Sequence, residues 1–139
     1  MRVWSLLSLF ALLCLPPSST AQARWVTISN ENGQRIEVDT ADVGITGSGH
    51  ITLWWRLSYR VPHSSPSSVS PTTMVRWSSM TEHEEINCHE DETRIIQQTS
   101  YNAAGDAVDV IKLDSLSSFD TPTPDSVVEL VMQWACKHL

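Results

Sequence analysis

The sequence is poor in basic residues. Lys and Arg supply 9 of its 139 residues against 16 Asp and Glu, and the formal net charge is −7. A protein that binds nucleic acid needs a basic surface to meet phosphates, so a nucleic-acid partner is not expected. Long apolar runs are also missing. The most apolar stretch, Val3–Leu15, is shorter than the roughly 20 residues of a membrane-spanning helix, so we expect no membrane span.

Catalytic signatures are missing as well. No serine stands in Gly-x-Ser-x-Gly, and there is neither a glycine-rich phosphate loop nor an H-E-x-x-H pair. The segment Gly47-Ser48-Gly49 before His50 has the wrong spacing, so we interpret His50 as a solvated residue that opens a strand. We therefore expect no enzymatic activity, no catalytic residue, no metal site and no cofactor. A hydrolase is the less favoured alternative, because carboxylate pairs that meet only in the fold leave no sequence signature.

The N-terminal 23 residues have the three parts of a secretory signal peptide. Arg2 supplies a basic start, Val3–Leu15 an apolar segment, and Ala21-Gln22-Ala23 a cleavage site with small residues at its first and third positions. The sequence thus predicts a signal peptide over residues 1–23 and one exported domain over residues 24–139.

The cysteines agree with export. Leu13 is too large for the position before a lipidated cysteine, so Cys14 is a poor lipid-attachment site. Cys88 and Cys136 remain as a pair, and pairs in exported chains form disulfides. A bridge would close a loop of about 49 residues, worth roughly 4 kcal/mol in the chain-entropy model. Metal binding with nearby histidines is the alternative, but the C-x₂-C spacing of zinc sites is absent.

Alternating residues predict several strands. Trp25–Ile28 and Arg35–Asp39 flank Asn32-Gly33, which is typical of a tight hairpin turn. From Ile51 to Val61 every second residue is apolar, which predicts a long, half-buried antiparallel strand. The segment between these strands, residues 40–49, holds three glycines and is expected to be a connection with a helical turn.

Trp54 is the exception on the polar face of the long strand, two residues before Arg56. One interpretation is that Trp54 stacks on a cross-strand neighbour or lies under a helix. The other is an exposed aromatic–cation patch, Trp54 and Arg56, that a partner protein uses. We retain this pair as the candidate binding face.

The second half of the chain predicts a meander. Residues 62–73 are rich in Ser and Pro and are expected to be a mobile loop. Residues 74–77 and 80–88 are interpreted as a broken strand, and two further strands are expected over residues 93–101 and 107–113. The carboxylates of this region lack calcium-loop spacing and are expected to be a solvated charged turn; they are Glu82, Glu84, Glu85, Glu90, Asp91 and Glu92.

A helix is predicted at the C-terminus. Pro124 suits a first turn, and Ser126 with Glu129 fits a capping box. The apolar stripe from Val127 to Ala135 is broad enough to need a sheet beneath it, and Cys136 lies at its margin. These features predict an α+β fold in which one C-terminal helix packs on one face of an antiparallel sheet of about five to six strands, tied by the Cys88–Cys136 disulfide.

The order of several short motifs resembles the surface-adhesin protein E family of small exported bacterial envelope proteins. The motifs are Trp25, Asp39, Trp54-Trp55, Asn87-Cys88, the turn from Tyr101 to Gly105, Pro124-Asp125-Ser126 and Cys136. The resemblance implies an adhesin-like module that binds host extracellular-matrix proteins and can dimerise. Members of the family resembled are anchored at the outer surface by a lipid, so the poor lipid-attachment site at Cys14 favours the periplasm over the cell surface. The alternative is a periplasmic structural or accessory protein with no host ligand.

Overall fold

The computed structural model describes residues 23–113 and 117–139. Apart from Ala23, the expected signal peptide lies outside the described residues, as does Cys14. The described chain forms seven strands and one helix. They are β1 (Trp25–Glu31), β2 (Gln34–Asp39), β3 (Gly44–Ile45), β4 (Ile51–Pro66), β5 (Met74–Asn87), β6 (Glu92–Tyr101), β7 (Ala107–Lys112) and α1 (Val127–His138).

All strand pairs are antiparallel, and the order across the sheet is β1-β2-β4-β5-β6-β7, with β3 pairing to β4 beyond the end of β2. The first hairpin turns at Asn32 and Gly33, whose φ angles are 53° and 77°. Both residue types tolerate this left-handed region, which explains why the Asn-Gly pair is a reliable hairpin signal.

The core lies between one sheet face and α1. The odd-numbered residues of β4 from Ile51 to Leu57 are buried, as predicted from their alternation, and Trp55 is 1 % exposed. The helix buries Val131, Met132 and Ala135 against them. The predicted α+β architecture is confirmed.

Local chemistry defines both ends of the helix. The Ser126 hydroxyl accepts a hydrogen bond from the Glu129 amide at 3.1 Å, so the predicted cap is present. Near the other end, Cys136 forms the predicted disulfide with Cys88, just beyond β5, and the two Cα atoms are 5.6 Å apart. The helix is therefore covalently attached to the sheet.

Four sequence interpretations of the fold need correction. The connection over residues 40–49 has no helical turn and contains the short strand β3, which makes the sheet seven-stranded. The loop expected over residues 62–73 is strand as far as Pro66, because β4 continues to pair with β5. Beyond it, Ser67 and Ser68 bond to the Asp109 carboxylate, which lowers the pKa of Asp109. The strand expected to break at Ser78 and Ser79 is continuous. The register change expected at these serines is present, because Ser79 pairs with Ser58 whereas Trp77 pairs with His63, and the extra residues lie in β4.

The fourth correction concerns the acidic turn. Only Glu90, Asp91 and Glu92 lie at the β5–β6 turn. The other three carboxylates belong to β5 and are buried: Glu82, Glu84 and Glu85 are 2 %, 0 % and 5 % exposed. This charged segment is a strand in which Glu82 and Glu84 point to the helix side of the sheet. They are paired across β4 and β5 with Trp55 and Leu53.

Candidate functional site

The sheet face opposite α1, here called the open face, carries both predicted binding residues. Trp54 is paired with His83 across β4 and β5, and their rings stack with centroids 4.6 Å apart and planes 11° from parallel. Burial lowers the pKa of His83, although Asp42 and Glu85 oppose this shift. The geometry agrees with cross-strand stacking of Trp54, whose ring remains partly exposed.

Arg56 contacts a different tryptophan. Its guanidinium carbon lies 4.5 Å from the centre of the Trp25 ring, a cation–π distance. The same guanidinium donates to Glu37 Oε2 from two nitrogens, at 2.7 and 2.9 Å. Arg56 of β4 thus contacts both Glu37 of β2 and Trp25 of β1, and it positions the Trp25 ring at the edge of the open face.

Trp25 and Trp54 line a cavity of about 500 Å³, here called the open-face groove. Its other lining residues are Ala23, Asp39, Asp42, Thr81 and Tyr101. The Tyr101 hydroxyl is 3.3 Å from the Thr81 hydroxyl, which connects β6 to this wall. No local sequence signal places Trp25 and Tyr101 at a site, because their positions beside Trp54 depend on strand order across the sheet.

The groove has the chemistry of a recognition surface. Aromatic rings provide large contact areas at low entropic cost, and they are enriched among the residues that dominate protein–protein binding. Asp42, at the rim, is exposed and adds negative charge. This combination suits a side chain or short segment of a partner protein.

A second polar cluster occupies one end of the open face. Glu85 bonds to His50 Nδ1 at 2.8 Å and to the Arg94 guanidinium at 2.6 Å. Burial alone would raise the pKa of Glu85, but these bonds outweigh it and lower the pKa. The ring of Phe119 lies against both His50 and Arg94. The interpretation of His50 as simply solvated is wrong, since its ring is paired with a buried carboxylate.

The arrangement Ser48–His50–Glu85 differs from a catalytic triad. Ser48 Oγ lies 3.3 Å from His50 Nδ1, the same nitrogen that contacts Glu85. A triad needs the serine and the carboxylate on opposite ring nitrogens, because one nitrogen accepts the serine proton while the other donates to the acid. This geometry does not activate the Ser48 hydroxyl.

The buried pair Glu82 and Glu84 is also unsuited to direct contact with a substrate. The Trp55 indole N–H donates to Glu84 Oε2 at 2.8 Å, while Oε1 of each glutamate is enclosed and has no hydrogen-bond partner among the described residues. Burial raises the pKa of Glu82 to about 8, with a contribution from repulsion by Glu84. Burial also raises the pKa of Glu84 to about 7, against hydrogen bonds from Thr93 and Trp55. At pH 7 the Glu82 carboxyl therefore keeps its proton within the core, whereas Glu84 is close to the midpoint of its titration.

Two negative observations apply to residues 23–113 and 117–139. No group of three or more His, Cys, Asp or Glu side chains is arranged to hold a metal ion. No helix in these ranges has the length and apolar character needed to cross a bilayer.

Comparison with known families matches most of the chain to one of them. The family model described as surface-adhesin protein E matches residues 25–137. No curated protein and no solved structure matches the chain. The matched range begins at Trp25 in the open-face groove and ends just beyond Cys136, so it includes the whole sheet and all but the last residue of the tethered helix.

Proposed function

Because the chain belongs to the surface-adhesin protein E family, we propose that it is an exported, non-enzymatic envelope protein that binds a partner protein through the open-face groove. Residues 1–23 act as its signal peptide, and residues 24–139 form the exported domain. The family resemblance favours a host extracellular-matrix protein as the partner.

One observation carries this proposal: three aromatic side chains from three strands, Trp25, Trp54 and Tyr101, line one groove on the open face. The underlying sheet holds them in place, since Trp54 lies on His83 and Trp25 beneath Arg56. Such preorganised rings lose little conformational freedom on binding, which favours affinity.

The test compares two tryptophans by surface plasmon resonance on immobilised matrix proteins. Trp54→Ala is expected to weaken binding by roughly tenfold or more, as for a tryptophan at the centre of an interface. Trp77→Ala is the matched control. It removes the same residue type from the extension of β4 and β5 beyond the rest of the sheet, where Trp77 contacts Tyr59 and His63. Equal binding by the native protein and Trp54→Ala would contradict the proposed surface.

A structural or accessory role in the periplasm is the alternative. It is favoured by exposed apolar side chains on the same β4–β5 extension and on the loop that joins the two strands, where Val61, Met74 and the loop residue Val69 are 68 %, 60 % and 85 % exposed. A protein with this role would form homodimers or larger assemblies and retain no host protein. Size-exclusion chromatography with and without matrix proteins separates the two functions.

Location decides which function is physically accessible. An adhesin must face outward, whereas the poor lipid-attachment site at Cys14 favours the periplasm. Cell fractionation combined with surface proteolysis tests this. Cleavage of the domain on intact cells supports adhesion, and protection until the outer membrane is opened supports the accessory role.

A further inference from the structure

Asp39 is a buried carboxylate on the open face of the sheet. It lies at the end of β2 and is 4 % exposed. Its Oδ1 accepts hydrogen bonds from the backbone amides of Arg24 at 2.8 Å and Ala41 at 2.9 Å. None of the ion pairs among residues 23–113 and 117–139 includes Asp39. Buried carboxylates are usually paired, because removing a charge from water is costly.

One of the two donors is the nitrogen that export would convert into a cation. The expected signal-peptide cleavage falls between Ala23 and Arg24. Hydrolysis adds one water across this peptide bond. The Ala23 carbonyl becomes a carboxylate, and the Arg24 nitrogen becomes an α-ammonium at neutral pH. The nitrogen that donates to Asp39 would then carry a full positive charge.

Neighbouring contacts hold this nitrogen in place. The Arg24 carbonyl accepts from the Thr40 amide at 3.0 Å and from the Thr40 hydroxyl at 3.2 Å. The next residue, Trp25, is paired with Asp39 in the β1–β2 ladder. Both sets of contacts involve atoms that cleavage leaves intact, so the new terminus needs no rearrangement to reach the carboxylate.

We propose that signal-peptide removal creates a buried ion pair between the Arg24 α-ammonium and Asp39, which fixes β1 on the sheet in the processed chain. A charge-assisted hydrogen bond is roughly twice as strong as a neutral one, so the processed chain gains stability at this edge. Cleavage also removes Ala23 from the open-face groove and leaves Trp25 beside a fixed terminus. This inference rests on the export cleavage proposed above.

The first measurement separates cleavage from docking. The full chain is expressed with its own leader, and the N-terminus of the exported product is sequenced. Arg24 is the expected first residue, and a different terminus overturns the inference at its first step. A second chain carries Gly-Ser-Gly between Ala23 and Arg24. This insertion retains the Arg24 amide and moves the ammonium up to about 10 Å away. The inserted protein is expected to melt roughly 3–8 °C below the native one.

A double-mutant cycle identifies the carboxylate. In an Asp39→Asn background the insertion is expected to have no further effect on Tm, because the charge it separates is gone. In the matched Asp42→Asn background the insertion should retain its full effect. If Asp39→Asn fails to fold, the reactivity of the α-amine towards a succinimidyl ester replaces the cycle. The docked amine of the native protein should be acylated several-fold more slowly than the amine of the inserted chain. If the native product begins at Arg24 but melts at the same temperature as the inserted protein, or its α-amine reacts equally fast, the ion pair is overturned and the cleavage is still supported.

Discussion

Replacing the buried glutamates Glu82 and Glu84 with glutamine should change how the stability of the domain depends on pH. Both carboxyls titrate near pH 4.5 in the unfolded chain, but their pKa values in the folded protein are about 8 and about 7. As the pH rises from 4.5 towards 7, the unfolded chain releases both protons, whereas the folded protein still holds that of Glu82 and begins to lose that of Glu84 only near pH 7. The unfolded state then binds fewer protons, so the free energy of unfolding falls as pH rises.

The size of the effect follows from the shifts. One pKa unit corresponds to about 1.4 kcal/mol, so the shift of Glu84 is worth about 3 kcal/mol and that of Glu82 about 5 kcal/mol. The two groups are coupled, so we expect a total loss of several kcal/mol by pH 8, out of a typical stability of about 5–15 kcal/mol. Below pH about 4.5 both groups are protonated in both states and the loss disappears. Glu85 and Asp109 have lowered pKa values and act in the opposite sense, mainly below pH about 4.5.

The assay is urea denaturation of the Glu82→Gln/Glu84→Gln double variant and the native protein from pH 4.5 to 8.5, followed by intrinsic tryptophan fluorescence, to which buried Trp55 contributes. Glutamine resembles the protonated acid and still accepts a hydrogen bond from the indole. The stability difference is therefore expected to be small at pH 4.5 and to grow to several kcal/mol in favour of the variant by pH 8. Glu90→Gln, at the exposed turn, is the control and should leave the pH profile unchanged. A difference that stays constant across the range would refute the raised pKa values.

Two predictions concern the attachment of the helix. Cys88→Ser should lower Tm sharply, because the free energy of unfolding falls by up to about 4 kcal/mol when the loop is opened. Hydrogen-exchange protection should fall more in α1 than in β4. An unchanged Tm under strong reductant would contradict this prediction. Ser126→Ala should cost about 1 kcal/mol by removing the acceptor of the Glu129 amide, whereas Thr72→Ala in the exposed turn should be nearly neutral in the same denaturation experiment.

The architecture was predictable where one physical signal dominated. The alternation from Ile51 to Leu57, the turn at Asn32-Gly33 and the cap at Ser126 each depend on local sequence, and all three are present. The Cys88–Cys136 bridge followed from the number of cysteines in an exported chain. The short strand β3 was not predicted because two residues are too few to show an alternation of apolar and polar side chains. It exists only as a partner for the first residues of β4.

The burial of charge was not predictable for a different reason. Residues 81–85 read Thr-Glu-His-Glu-Glu, and neither face of such a strand has an apolar period. Their faces are decided by register against β4, which places Glu82 opposite Trp55 on the core side and His83 opposite Trp54 on the open side. A shift of one residue would exchange the two sets and place Glu85 in the core, away from His50 and Arg94.

The same register determines which β5 side chains lie beside the aromatic residues of the open-face groove. The Trp54 ring stacks on His83 of β5, and the Trp25 ring lies against Arg56 of β4. An apolar side chain in either place would favour burial of the ring. Both supports are polar groups that remain partly hydrated, so they orient the rings without burying them. Replacing His83 with leucine should therefore preserve the fold, since that position is only partly buried, while weakening partner binding through a displaced Trp54 ring. Unchanged binding by His83→Leu, measured beside Trp54→Ala on the same surface, would show that the stack plays no part in recognition.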